Sequence, residues 1–319
     1  MSEIFDGKRV YVSGKFPGLA KEDVWTYLLG AGAVGTASKS AAEAYLCPDL
    51  SDAKLAASGK PIHTLDELGP PLAGYADRLA AAVAFRRADM RRRDGLVAHF
   101  GRGAPADDAL IARVEAAIGF PAPAELRTLM RGFNGLSAVV AVLKRGKKVE
   151  LADSGPLPYA ALADSGHPLW QGAIEWLIGV VAIPTWEEIF LRPQQQRICD
   201  LSSVYEATAE MKIGGLKVRA GDLFPRLFAF DLFHPFAGAA LYADPKERAL
   251  RVIYAFDHWA DLTGAHPLSL RTYMESLVAG IWGRMSHAGQ RPVKPVSKTA
   301  WPTYVRNIHG APYVFLELT

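Results

Sequence analysis

Cysteine is nearly absent from this sequence, and so are the segments that mark secreted and membrane-embedded proteins. The 319 residues include only Cys47 and Cys199, which are too far apart to form a CxxC metal pair or a disulfide framework. No stretch approaches about 18 uninterrupted apolar residues, and the N-terminus has no apolar signal-peptide core. We therefore expect a soluble, cytoplasmic protein that makes no contact with a membrane.

The motifs of common enzyme classes are missing as well. The sequence contains no GxSxG, P-loop, HExxH or GxGxxG pattern. Its eight histidines form no i, i+4 pair and no ligand-like cluster with the two cysteines. We expect no enzymatic activity, no catalytic residue, no metal site and no cofactor.

Charge is low overall and unevenly distributed. The net charge of +3 argues against strong attraction of the whole molecule to nucleic acid. Residues 76–104 nevertheless carry seven arginines and three aspartates, so the basic balance lies in one short connecting stretch. We interpret this stretch as a basic helical linker. Its candidates for contact with a nucleic-acid backbone are Arg86, Arg87, Arg91, Arg92 and Arg93, and a solvated helix face is the alternative interpretation.

Short apolar strands alternate with helices along the first 76 residues. Residues 8–13 form an apolar run that ends in Ser-Gly, and residues 21–29 place apolar side chains on one helical face. Further extended pieces at 33–37, 44–47 and 61–64 are separated by helix starts. This alternation predicts a small α/β unit with a parallel sheet covered on both faces.

The same stretch resembles a BRCT domain. The resemblance lies in the ordered features "FDGKRVYVSGKF", Gly30-Ala31-Gly32, "DAKL" and "GKPIHT". In phosphate-binding BRCT domains, a hydroxyl residue and a glycine after the first strand act with a lysine of the second helix. The resemblance therefore implies Ser13, Gly14 and Lys54 as candidate phosphate-binding residues, and a plain strand-to-helix turn is the alternative interpretation.

From residue 105 onward the pattern changes to α+β. Two amphipathic helices are expected at 107–119 and 124–133, followed by a hairpin of 136–143 with 149–151. Strands at 174–183, 227–231, 238–243 and 250–256 precede a last helix at 268–282, and Thr185 opens a capping box with Glu188. The segment 193–225 stays unplaced, and 286–319 is expected to be a C-terminal extension with a possible hairpin.

This second part resembles the SUKH superfamily of SMI/KNR-type domains over residues 105–285. The resemblance is carried by "IARVEAAIGFPAPAELRTLMRGFNGL", "IPTWEEIF" and the final "SLRTYMESLVAGIW". Such domains have no known catalytic residues, and many resemble bacterial immunity proteins that bind toxins, often nucleases. Recognition of a cationic toxin would use acidic side chains, and the candidates for binding this partner are Glu187, Glu188, Asp200, Glu206 and Glu210.

The sequence thus predicts two domains: a BRCT-like unit (1–76) and a SUKH-like unit (105–285), joined by the linker (77–104) and followed by the extension (286–319). The first functional hypothesis is a non-catalytic immunity or partner-capture protein that binds a nuclease-type toxin. The alternative is a reader of phosphopeptides or DNA 5′-phosphates that acts through the BRCT-like unit in DNA metabolism.

Overall fold

A computed structural model describes residues 4–5, 7–36, 38–51, 53–89, 96–151, 155–157, 173–191, 205–213, 216–234, 237–255 and 268–281. Two predicted features lie outside these residues. They are the C-terminal extension (286–319) and most of the first half of the segment 193–225.

The N-terminal part contains the parallel sheet that the sequence predicts. Its four strands are β1 (Arg9–Val12), β2 (Val34–Gly35), β3 (Ala44–Leu46) and β4 (Ile62–His63). They lie in the order β2-β1-β3-β4, and every neighbouring pair is parallel. Helix α1 (Lys21–Gly30) connects β1 to β2, α2 (Ala53–Ala56) connects β3 to β4, and a 3₁₀ turn (Leu65–Leu68) follows β4.

Apolar side chains cover both faces of this sheet. On one face, Val10 and Val12 pack with Trp25 and Leu28 of α1. On the other face, Tyr45 and Cys47 pack with Leu55 of α2. Because successive strand residues point to opposite faces, β1 and β3 contribute to both small cores.

The described residues from 75 onward form antiparallel sheets and helices. The three-stranded sheet is β5-β6-β7, with β5 (Leu96–Arg102), β6 (Leu136–Leu143) and β7 (Ile174–Ile183). The four-stranded sheet is β10-β11-β12-β13, with β10 (Leu227–His234), β11 (Ala237–Asp244), β12 (Ala249–Ala255) and β13 (Leu268–Ser269). A separate hairpin joins β8 (Glu210–Ile213) to β9 (Leu216–Arg219).

Within the described residues, six further helical segments pack around these sheets. They are α3 (Tyr75–Asp89), α4 (Asp108–Ile118), α5 (Ala124–Gly132), α6 (Trp186–Phe190), α7 (Ala220–Leu223), which runs into a 3₁₀ turn (Phe224–Arg226), and α8 (Leu270–Ile281). The predicted capping box of α6 is present, since Thr185 pairs with Glu188. Helix α4 is also capped, because Asp107 accepts from the Leu110 amide. No helix in the described part of the chain is long and apolar enough to cross a membrane.

An aromatic stack lies at the centre of the larger core. Trp186 is fully buried, with ring centroids 5.4 Å from Phe133 and 6.2 Å from Phe230. Its indole N–H donates to the Phe133 carbonyl at 2.6 Å, so the buried polar atom has a partner. The stack therefore links α5, α6 and β10 in one core.

Two local predictions about strands are wrong. Residues 149–151 form no strand, and β6 pairs instead with β5 on one edge and β7 on the other. Every residue of β6 is buried, so this strand needs long partners on both edges, which a three-residue segment cannot supply. One of those partners is β5, a strand over residues 96–102, at the C-terminal end of the linker, where the sequence predicted no strand.

The helix of the basic stretch belongs to the larger core. Tyr75, Leu79 and Val83 of α3 are buried in the same cluster as β6, β10 and α8. The helix therefore packs against the C-terminal sheets rather than spanning solvent. The division of the chain into two domains stays a prediction.

Candidate functional site

The end of β1 presents two of the three candidate phosphate ligands. Gly14 has φ +86°, and a Cβ added there would lie 2.8 Å from Pro48 Cδ, so this position needs glycine. The backbone N–H of Ser13 donates to the Leu46 carbonyl at 2.9 Å. The Ser13 hydroxyl and the Gly14 N–H make no hydrogen bond to any residue that the structure describes. Both are donors at the carboxyl edge of a parallel sheet.

The third candidate ligand is only partly placed. Lys54 lies in α2, a helix of four residues, and its side chain lies outside the described part of the structure. The structure therefore positions Ser13 and Gly14 side by side and leaves the contribution of Lys54 a prediction.

A second candidate site is a groove beside the β8–β9 hairpin, in the segment that sequence reasoning left unplaced. It encloses about 540 Å³ and is lined by residues of the hairpin, α7, the following 3₁₀ turn, β11 and the β11–β12 turn. A volume of this size lies within the range of ligand pockets, about 300–1,000 Å³. We call this feature the hairpin groove.

Basic side chains dominate the lining of the hairpin groove. Five of its lining residues are cationic and three are acidic; the cations are Lys212, Lys217, Arg219, Arg226 and Lys246. None of the five forms an ion pair with a carboxylate in the described ranges. The described lining therefore carries more positive than negative charge.

The acidic lining residues are not equivalent. The Asp244 carboxylate is nearly buried and accepts hydrogen bonds from the Lys246 amide at 3.0 Å and from Arg251 Nε at 3.3 Å. Burial, followed by the nearby Asp244 charge, raises the pKa of Tyr242. Asp244 thus holds the β11–β12 turn together, while Glu210 and Asp222 remain as carboxylates facing the groove.

The hairpin itself sets a pair of like charges against each other. Its register places Lys212 directly opposite Lys217 and Glu210 opposite Arg219, and all four side chains are exposed. Side chains directly opposite on neighbouring strands have Cβ atoms about 5 Å apart, and like charges there are destabilising.

The acidic residues that were predicted to bind a partner have different structural surroundings. Glu188 closes the capping box of α6 with Thr185, and Glu187 Oε2 accepts from Asn134 Nδ2 at 2.9 Å. Glu210 lines the hairpin groove, and Glu206 lies before the hairpin. Asp200 lies outside the described residues.

The arginine candidates are also only partly described. Arg87 donates to the Ala98 carbonyl and so ties α3 to β5. Arg91, Arg92 and Arg93 lie outside the described residues, as does the side chain of Arg86. The described part therefore gives Arg87 a local structural partner.

A buried polar cluster joins the parallel-sheet part to the rest of the molecule. Arg78 of α3 forms a two-pronged ion pair with Glu275 of α8 at 2.5 and 2.7 Å, and donates to the Gly30 carbonyl at 2.7 Å. The hydroxyl of Tyr27 on α1 lies 3.3 Å from Thr272 Oγ1 on α8. Polar contacts of this kind fix how α1 sits on α8.

Asp231 of β10 is another buried polar residue, with no exposed surface. Its carboxylate accepts from the Tyr273 hydroxyl and the Ala182 amide, both at 2.7 Å. Burial raises the pKa of Asp231 from 3.8 to about 6, against the lowering effect of those two hydrogen bonds. The side chain connects β10 to β7 and α8 and has no exposure to a substrate.

Among the described residues, the side chains that could bind a metal or act as a nucleophile form no exposed site. No group of three or more His, Cys, Asp or Glu residues there could hold a metal ion. His99 Nε2 lies 3.0 Å from Ser137 Oγ, but both residues are buried and Ser137 Oγ also accepts from the Leu157 amide. This contact is built into the sheet rather than exposed.

Sequence reasoning missed the cations of the hairpin groove. The signal was available in "EMKIGGLKVR", where charged and apolar residues alternate on both sides of a Gly-Gly pair, a pattern typical of a β-hairpin. Arg226 and Lys246 come from elements distant in sequence, and no local pattern places them beside the hairpin.

Two comparisons with known proteins found no match to this chain. A scan against models of protein families found no match to this chain. A search of curated proteins found no match either.

Proposed function

We propose that this chain is a non-catalytic protein-binding protein that captures its partner in the hairpin groove. The observation that carries the proposal is a groove of about 540 Å³ lined by five cations without carboxylate partners among the described residues. Unpaired charge around a concave surface is typical of a site completed by another molecule.

The resemblance to SUKH domains supports the same class of function. The element order includes two helices, antiparallel strands and a closing helix, which is compatible with that resemblance, and the resemblance implies an immunity or interaction module. We accordingly propose a cytoplasmic partner-capture role, with a nuclease-type toxin as the partner class that the resemblance implies.

Affinity purification of the full chain from its native host tests this proposal. Lys217→Trp places a bulky ring in the groove on an exposed strand position, and Lys147→Trp makes the same change in the exposed turn after β6. We expect a specific partner with the wild type and with Lys147→Trp, and its loss with Lys217→Trp. Recovery of the same proteins with all three chains would refute capture in the groove.

A second candidate function rests on the end of β1. The unpartnered Ser13 hydroxyl and Gly14 N–H, beside the predicted contribution of Lys54, form the kind of donor set that holds a phosphate group. The strand order β2-β1-β3-β4 and the resemblance to BRCT domains support this reading. The chain would then recognise phosphopeptides or DNA 5′-phosphates.

Titration of the full chain with phosphorylated and unphosphorylated forms of the same peptides and DNA ends tests this candidate. Lys54→Ala and Ser13→Ala are each expected to weaken binding of the phosphorylated form by about 1.5–3 kcal/mol, the usual value for a hydrogen bond to a charged group. Lys21→Ala, at the exposed start of α1, serves as the control. Equal binding of both forms would assign the Ser-Gly segment to a structural turn.

A further inference from the structure

We infer that the hairpin groove recognises an acidic, extended segment of the protein partner. The inference rests on the proposed function, because it names the chemistry of the molecule bound in that groove. It also differs from the sequence-based expectation, in which acidic residues of this chain would meet a basic partner.

The charges of the groove support an anionic ligand. Five cations face three carboxylates, and the Asp244 carboxylate is already engaged by the amide of Lys246 and by Arg251. Of the two remaining carboxylates, Glu210 lies opposite Arg219 across the hairpin. The free charge at this surface is therefore mainly positive.

The positions of two of these cations, the opposed lysines of the hairpin, strengthen the argument. Lys212 and Lys217 occupy paired positions on neighbouring strands, where like charges repel. A carboxylate placed between the two ammonium groups would remove that repulsion and gain two favourable interactions. The arrangement is thus unfavourable in the isolated chain and favourable in a complex with an anion.

The pattern of the lining favours a peptide over a nucleic acid. Along β9, Leu216 and Val218 point to the face that packs against the larger core, whereas Lys217 and Arg219 are exposed on the other face. Residues of both faces line the groove, so it offers apolar surface as well as charge. Glu210 and Asp222 also line the groove, and a nucleic acid, which carries a charge on every nucleotide, would meet both, whereas a peptide can place uncharged residues beside them. Tyr242, the aromatic residue of the lining, is 4% exposed and so offers no stacking surface. An extended peptide whose carboxylates are separated by apolar residues fits both features.

A binding titration with defined peptides tests the inference. The probes are labelled ten-residue peptides of alternating glutamate and valine, glutamine and valine, or lysine and valine, measured by fluorescence anisotropy with the full chain. The chain variants are Lys212→Met with Lys217→Met, which removes the opposed charges at similar length, and Lys147→Met with Lys148→Met in the exposed turn after β6. Both double variants change the net charge equally.

We expect the glutamate peptide to bind at least tenfold more tightly than the glutamine peptide, with an affinity that falls as salt is added. The groove variant should lose about tenfold in affinity for the glutamate peptide, and the turn variant should lose less than twofold. Equal binding of the glutamate and glutamine peptides, or equal losses in the two variants, would overturn the inference.

The outcome separates this inference from the proposed function. If a host partner requires an open groove in the Lys217→Trp experiment but the glutamate peptide does not bind, the groove captures a partner of other chemistry and the acidic-segment inference is wrong. Misfolding is not an explanation for the groove variant, because removal of opposed like charges is expected to leave its melting temperature unchanged or higher.

Discussion

Replacement of Asp231 by asparagine is expected to change how the stability of this protein depends on pH. The carboxyl group is fully buried, and burial raises its pKa from 3.8 to about 6. The folded state therefore holds this proton to higher pH than the unfolded state does. The stabilising contribution of the group is fully present below about pH 4 and is lost as the pH rises through about 6.

The magnitude follows from the size of the shift. A difference of about two pKa units corresponds to about 3 kcal/mol in the free energy of unfolding, at 1.36 kcal/mol per unit. Asparagine has nearly the same shape and no charge. Its carbonyl oxygen can accept from the Ala182 amide, and its NH₂ group can donate to the Tyr273 hydroxyl oxygen.

Urea unfolding of the wild type and Asp231→Asn between pH 4 and 8 measures this effect. The free energy of unfolding of the wild type should fall relative to that of the variant by up to about 3 kcal/mol over this range. Asp108→Asn is the control, because Asp108 forms an exposed pair with Arg131, and its curve should run nearly parallel to the wild type. Parallel curves for Asp231→Asn and the wild type would refute the argument from burial.

Three further changes test the packing and the groove, each by urea or thermal unfolding. Glu275→Gln leaves the Arg78 charge buried without its partner and should lower the free energy of unfolding by about 3–5 kcal/mol. Arg78→Met combined with Glu275→Leu should lower it much less, and equal losses would show that the ion pair is unimportant. Gly30→Ala places a Cβ 2.2 Å from Glu275 Oε2 and should lower the melting temperature. Gly132→Ala has open space around the new methyl group and should not lower it. The reverse order of melting temperatures would contradict the close approach of α1 to α8. Lys212→Glu turns the opposed lysines into an opposite-charge pair and should raise the free energy of unfolding by about a few tenths of a kcal/mol. Lys147→Glu should leave this free energy nearly unchanged. A lower free energy of unfolding in Lys212→Glu would contradict the register of the hairpin.

The parallel sheet could be predicted from sequence because its signals are local. Apolar strands ending in turn residues alternate with short helices, and this pattern alone requires parallel pairing with connections on the faces of the sheet. The capping boxes at Thr64 and Thr185 are likewise short-range patterns, and the structure contains both.

The pairing of β6 could not be predicted in the same way. A nearby segment, 149–151, is the local choice for a hairpin, but the true partners are β5 and β7, each separated from β6 by about 30 or more residues. The burial of all of β6 favours the long partners β5 and β7 over the short segment. Burial is a property of the folded chain, so the local sequence could not show it.

The candidate sites also differ in how far they could be predicted from sequence. Ser13 and Gly14 are adjacent in sequence, so their proximity is guaranteed, whereas the groove combines the hairpin with Arg226 and Lys246 from separate elements. Glu188 was predicted both as a cap and as a contact with a partner, and the structure shows the cap. A side chain that completes a local motif is less available to a binding partner.

Site-specific photo-crosslinking in the native host tests the central claim most directly. A photoreactive phenylalanine replaces Lys217 in the hairpin groove in one full-length chain and Lys147 in the exposed turn in another. We expect one protein to be crosslinked from position 217 and not from 147, through a segment in which glutamate or aspartate alternates with apolar residues. The same set of proteins crosslinked from both positions would contradict capture in the groove.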